Sequence, residues 1–319
     1  MILRLEDFYY VVGAILAIVA WMSATDRSNG RRWTTALFWG LYALLYLAGE
    51  ALPPAFAGAV VVAMALLAGF GGVRSGTPDV LPDDVRRASA RRLGHWLFLP
   101  ALAIPLVTVI ASTLLKDVKV GELFLIDPKQ ATLVGLGCAS IIAAALACRL
   151  TRSTPVQAMR EHRRLVDALG WAFFLPHLLA ILGLLFTQVG VGKAVAHIAT
   201  SYIPMDSKLV AVTVYCVGMA LFTIVMGNGF AAFPVMTGGV GIPVLVGVFH
   251  ANPAVMAAIG MFSAYCGTLM TPMAANFNIV PAALLELPDK HAVIKAQVPT
   301  ALPLLGVNIL LLYFLMNRP

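Results

Sequence analysis

From Ser207 to Leu285 the chain carries no Asp or Glu, and its one Lys or Arg is Lys208 at the edge. A stretch so long and so poor in charge cannot form the surface of a water-soluble domain. A helix of about 20 apolar residues bridges the hydrocarbon of a bilayer, and runs of that length recur upstream. The whole chain fits this pattern: of 319 residues, 60% are hydrophobic and 12% charged, with a mean hydropathy of +0.89. The fold class is therefore all-α, a polytopic transmembrane helical bundle. Spans are expected near 8–24, 33–49, 52–73, 94–115, 130–150, 170–188, 208–226 and 298–317, with a long broken segment at 253–285.

The net charge of +7 does not point to nucleic acid, because the arginines concentrate in three connectors. These hold Arg27, Arg31 and Arg32; Arg74, Arg86, Arg87, Arg91 and Arg92; and Arg149, Arg152, Arg160, Arg163 and Arg164. Basic loops flanking apolar spans set orientation and touch anionic lipid heads. Placing them in the cytoplasm gives an external amino terminus and a cytoplasmic carboxy terminus. The stretch 8–22 reads as a first span rather than a cleaved signal, since Arg4 is followed by Glu6 and Asp7 and no small-residue cleavage site follows. The expected organisation is an amino-terminal bundle over 1–150 as scaffold, a basic cytoplasmic connector over 151–169 that reads as an amphipathic surface helix, and a transport half over 170–319. Small residues crowding 135–148 read as a packing face or, alternatively, an oligomer interface. Region 189–207 is too polar to span and reads as an external interfacial helix.

Two segments break the pattern. "MGNGFAAFPVMTGGVGIPVLV", residues 226–246, has five glycines and two prolines in an apolar setting. Interior glycine costs a helix about 1 kcal/mol and proline about 3. Irregular backbone at membrane depth survives only inside protein or along a wet cavity. A re-entrant hairpin over 228–250, with its tip at 237–241, is the expectation. The second, "GTLMTPMAANFN", residues 267–278, sets Pro272 among Thr268, Thr271, Asn276 and Asn278, which reads as a helix interrupted over 253–285.

Half-helix amino termini offer unpaired N–H groups and a partial positive charge, suited to a carboxylate, while freed carbonyls suit sodium. The candidate substrate-binding residues are Asn228, Thr237, Gly238, Gly239, Gly241, Thr268, Thr271, Asn276 and Asn278. Candidate Na+ ligands are Thr237, Gly239, Thr271 and Asn276. The bland alternative is that the glycines and prolines are kinks and packing notches, and that Asn228 merely caps a helix. His177 and His250 are relay candidates or interfacial anchors. With no carboxylate in the long uncharged stretch, sodium is preferred over a proton relay.

Other chemistry is thinner. Cys138, Cys148, Cys216 and Cys266 stand singly, with no metal or disulfide spacing. Lys193 follows a Gly-x-Gly but lacks the phosphate-loop spacing. "DDVRR", residues 83–87, begins like the acidic diphosphate motif of prenyl-transferring enzymes, but Arg87 occupies the place of a needed acid. An intramembrane enzyme acting on a lipid diphosphate and a non-transporting assembly subunit remain the alternatives. The reading is of a protein that is not an enzyme and needs no cofactor beyond sodium.

The segments 36–73, "MGNGFAAFPVMTGGVGIP" and "CGTLMTPMAANFN" resemble a bacterial membrane family, domain of unknown function 979. That family resembles the ion-transporter superfamily, whose inverted repeats each pair a re-entrant hairpin with an interrupted helix. Its Ser-Asn-Thr tip motif is replaced here by "TGGVG" and "TPMAANFN", and only one such pair is visible. The resemblance implies a subunit of a bacterial inner-membrane carrier of 5-oxoproline, in a heteromer whose second small membrane subunit supplies the other repeat.

Overall fold

The computed structural model describes residues 1–77, 82–202 and 205–317; parts of the expected connector 74–92 and of the segment 189–207 lie outside them. The chain divides into two compact units, Met1–Gly170 and Trp171–Pro319. Among the described residues seven helices are long and apolar enough to cross a membrane: Leu5–Thr25, Asp83–Leu115, Ala131–Thr151, Pro155–Phe186, Lys208–Met226, Gly229–Val246 and Ala292–Leu315. The protein is an all-α polytopic membrane protein, as the charge-free runs require.

In the first unit α1 (Leu5–Thr25) and α2 (Arg32–Ala48) run antiparallel, Gly13 lying against Leu47 and Gly40 near Ala20. Their seam buries Leu16, Val19, Phe38, Trp39 and Tyr42. Helix α3 (Pro54–Gly69) adds Met64 to the buried set. Helix α4 (Asp83–Leu93) leads through a tight turn of 3-10 helix into α5 (Leu99–Ile110), which pairs with α6 (Ala131–Thr151). Between α5 and α6 lies a small antiparallel ribbon, Lys119–Val120 with Leu123–Phe124, and Leu3 bridges to Ile126 beside it. The basic helix α7 (Pro155–Leu169) starts sharply: Thr154 Oγ1 accepts from the Gln157 N–H, and Pro155 needs no donor at that position. Gly170, at φ +57°, ends it in a conformation that a Cβ would strain.

The second unit begins with α8 (Leu175–Gln188) and α9 (Val191–Tyr202), which pack on the helix that follows α10 (Lys208–Met226). That helix, α11 (Gly229–Met236), contradicts the sequence expectation. It does not turn back at 237–241; the backbone continues as a π-helix over Thr237–Val246, so that Gly229–Val246 is one wound, span-length helix. Pro243 supplies a reason. An α-helical proline ring collides with the carbonyl four residues earlier, and wider winding moves that carbonyl aside; at its exit the Gly247 N–H reaches back five residues to the Ile242 carbonyl.

The interrupted helix is present. Helix α12 (Pro253–Leu269) stops, the chain turns through 270–274, and α13 (Ala275–Leu284) resumes before α14 (Ala292–Leu315). Because 229–246 crosses rather than returns, the sidedness within this unit changes by one crossing. The Lys208 ammonium donates to Asn317 Oδ1, Asn317 Nδ2 donates to the Phe249 carbonyl, and the Asn252 N–H donates to the Met316 carbonyl. The start of α10, the 249–252 turn and the end of α14 therefore share one end. The expected pairing of an external α10 start with a cytoplasmic carboxy terminus does not hold.

Candidate functional site

The break grows out of three local choices. Pro272 lacks an N–H, and Thr271 turns its hydroxyl away to donate to the Ile224 carbonyl of α10 at 2.8 Å, while accepting from the Met273 N–H at 3.2 Å. Gly227, at φ +68°, ends α10, and a Cβ there would sit 2.6 Å from the Met273 carbonyl carbon. The tight turn of the α10–α11 pair thus presses on the break.

Asn278 closes the structure from the other side. Its Nδ2 donates to the carbonyls of Thr268 at 2.8 Å and Thr271 at 2.6 Å, two groups the interrupted ladder would otherwise leave open. Those acceptors fix the amide's orientation, since a flipped Asn would aim its oxygen at two others. Asn278 is fully buried and its Oδ1 has no partner. A buried acceptor left unpaired costs about 1–3 kcal/mol. Gln297 of α14 holds a second buried, unpartnered amide oxygen, Oε1. At the amino terminus of α13 no side chain caps the first turn, and Asn276 stands there exposed. The arrangement combines open N–H groups, neutral oxygens and no basic side chain in the α12–α13 stretch.

The remaining candidates lie elsewhere. Asn228 caps α11, accepting from the Phe230 N–H at 2.8 Å, next to the break. Thr268 is buried and donates to the Tyr265 carbonyl. Thr237 is nine residues beyond Asn228 along a wound helix, a rise of about 13 Å at α-helical pitch. It meets the Tyr215 hydroxyl at 3.2 Å. Gly239 and Gly241 are buried, and a Cβ on Gly241 would strike Met256 and Tyr215, whereas Gly238 faces open space. So Thr268, Thr271, Asn278 and Asn228 come together with Asn276 at the neighbouring helix start, while Thr237, Gly238, Gly239 and Gly241 form part of a packed helix at another level. The glycines serve as notches: Gly260 receives Tyr215, Gly267 the Ala220 carbonyl, Gly229 the Ala264 methyl.

The chain matches, over residues 6–317, the family described as Protein of unknown function (DUF979). It belongs to the DUF979 family. No curated protein and no solved structure matches it.

The sequence reading of this DUF979 chain missed Tyr215, Asn308 and Gln297. Asn308 is buried in α14 and donates to Cys266 Sγ at 3.6 Å. Each is a lone polar residue in an apolar run, a signal that could have been weighed as the two asparagines of α13 were. His250 takes a left-handed backbone (φ +52°) at the end of the π-helix, its carbonyl facing Asn317 Nδ2, and His177 sits in the first turn of α8. Asp83, in the motif weighed for diphosphate binding, pairs with Arg86 at 3.5 Å at an exposed helix start.

A second polar centre of the DUF979 chain lies in its first unit, on the charged stretch 155–167 that precedes the uncharged run 168–186. Arg163 of α7 bridges Asp26, just past α1, and Asp167, at 2.5 and 3.2 Å, all three largely buried. Burial alone would raise the Asp26 pKa, but hydrogen bonds from Ser28 and Arg163 outweigh it and hold the carboxyl below its ordinary value. Asp167 also bonds to Arg163, without a counterpart to Ser28 among the described residues. Burial pushes it up to about 6, against the attraction of an Arg163 already shared with Asp26. Around them Asn29 donates to the Arg74 carbonyl, Thr34 to the Gly72 carbonyl, and Arg92 to the Thr151 carbonyl. The three arginine-bearing connectors therefore meet at one end of this unit.

Proposed function

We propose that this DUF979 protein is a subunit of a secondary transporter for a small organic anion, 5-oxoproline being the best fit, driven by a cation gradient with Na+ preferred over H+. One observation carries the reading: a span interrupted at 270–274 beside a buried amide oxygen, Asn278 Oδ1, that has no donor. The uncapped start of α13 supplies N–H groups and a positive dipole end for the substrate carboxylate, with Asn276 at its rim. Asn278 Oδ1 supplies a neutral acceptor, suited to a lactam N–H or to the coordination sphere of sodium. The wound helix 229–246 shifts the carboxylate-binding role from a hairpin tip to α13 alone. A second small membrane subunit would contribute the other repeat, in a bacterial inner membrane.

The test is uptake of labelled 5-oxoproline into proteoliposomes holding this chain with and without that partner, under an imposed sodium gradient. Uptake is expected only from the pair and only with the gradient. If the pair takes up no small carboxylate under any cation gradient, the proposal fails.

A further inference from the structure

At the open end of the α1–α2 pair lies a cleft of about 320 Å³, the size of a small-molecule site. Glu6, Tyr9 and Tyr10 line it from the first turns of α1, and Tyr46 and Glu50 from the end of α2 and the turn beyond. No Lys or Arg is among its lining residues. The Tyr9 and Tyr46 ring centroids are 5.9 Å apart with their planes at 64°, so the rings meet as a corner. Tyr46 is backed by the buried Tyr42 ring at 5.4 Å, which limits its rotation. Tyr9 and Tyr10 remain 40% and 54% exposed, leaving ring surface for a ligand.

We propose that this cleft binds a small organic ammonium cation. Two carboxylates supply the charge, and tyrosine faces, negative at the ring centre, supply directional attraction that a simple metal ion would not need. An anion would be repelled, so the ligand is not the carboxylate assigned to the break in the second unit. Tyrosines at a membrane boundary often serve as anchors. That role calls for rings turned outward to lipid head groups, not for rings angled around a hollow between two acids. The same ammonium chemistry is found on free amines and on the head groups of zwitterionic lipids.

The full chain in phosphatidylglycerol nanodiscs is titrated with labelled choline and followed by scintillation proximity. Saturable binding is expected, weakened about tenfold by Glu50→Gln and by Tyr9→Leu, and not displaced by the neutral isostere 3,3-dimethylbutan-1-ol. Both side chains are exposed, and helical circular dichroism verifies that each variant is folded. Repeating the titration in phosphatidylcholine nanodiscs separates the sources. A loss of apparent choline affinity there assigns the site to a lipid head group, and an unchanged affinity assigns it to a free amine; both uphold the ligand class. Absence of saturable binding in phosphatidylglycerol, equal binding of the isostere, or wild-type affinity in both variants overturns it.

Discussion

Asn278 and Asn276 stand two positions apart in one short helix and have opposite surroundings, so their substitution separates scaffold from site. Asn278→Ala removes the donor to two carbonyls in a buried place, and its cost is expected to be about 1–3 kcal/mol, read as a lower melting temperature in detergent. Asn276→Ala, at an exposed first-turn position, is expected to leave melting unchanged and to reduce uptake by the reconstituted pair. Equal melting losses in both would place Asn276 in the scaffold as well. Asp167 gives a pH signature. Its folded pKa of about 6 lies above its ordinary 3.8, so the folded state holds this proton more tightly, and stability falls as pH rises through that window. Asp167→Asn is expected to flatten that fall; the check is the difference in melting temperature between variant and wild type from pH 4 to 7. At this scale the sequence was half legible. Thr268, Thr271 and Asn278 were recognisable as polar groups around a proline, but the Asp26–Arg163–Asp167 cluster was not, because its members lie far apart in the chain and look like ordinary loop charges.

Among the elements, the interrupted helix was readable and the hairpin was not. Both segments are rich in helix breakers, but only the first sets a proline among side chains able to bond the freed backbone, as Asn278 and Thr271 do. Glycine is ambiguous because it serves a tight tip and a tight helix contact equally well; what decides is the neighbour, which composition does not contain. A pair of alanine substitutions tests the structural assignment. Gly267→Ala would press a Cβ into the Ala220 carbonyl oxygen, and is expected to destabilise by about 1–3 kcal/mol. Gly238→Ala meets open space in a wound helix and is expected to be neutral or stabilising by up to about 1 kcal/mol. A hairpin tip at 237–241 would make the second substitution the damaging one; thermal melts of the two variants decide.

For the molecule as a whole, the class followed from the scarcity of charge, whereas the count of crossings hung on a single segment. Reading 229–246 as a return shifted every later side assignment in the second unit. Single cysteines at Lys208, His250 and Asn317, in a background lacking the four native ones, are expected to react with a membrane-impermeant maleimide from the same face. Labelling of Lys208 from one face and of both His250 and Asn317 from the other would restore the hairpin. The bond from Thr271 to Ile224 and the fit of Gly227 against Met273 have a mechanical consequence. They tie the break to the bend between α10 and the next helix. Displacing 270–274 on its own would cost the Thr271 bond and open the close fit at Gly227.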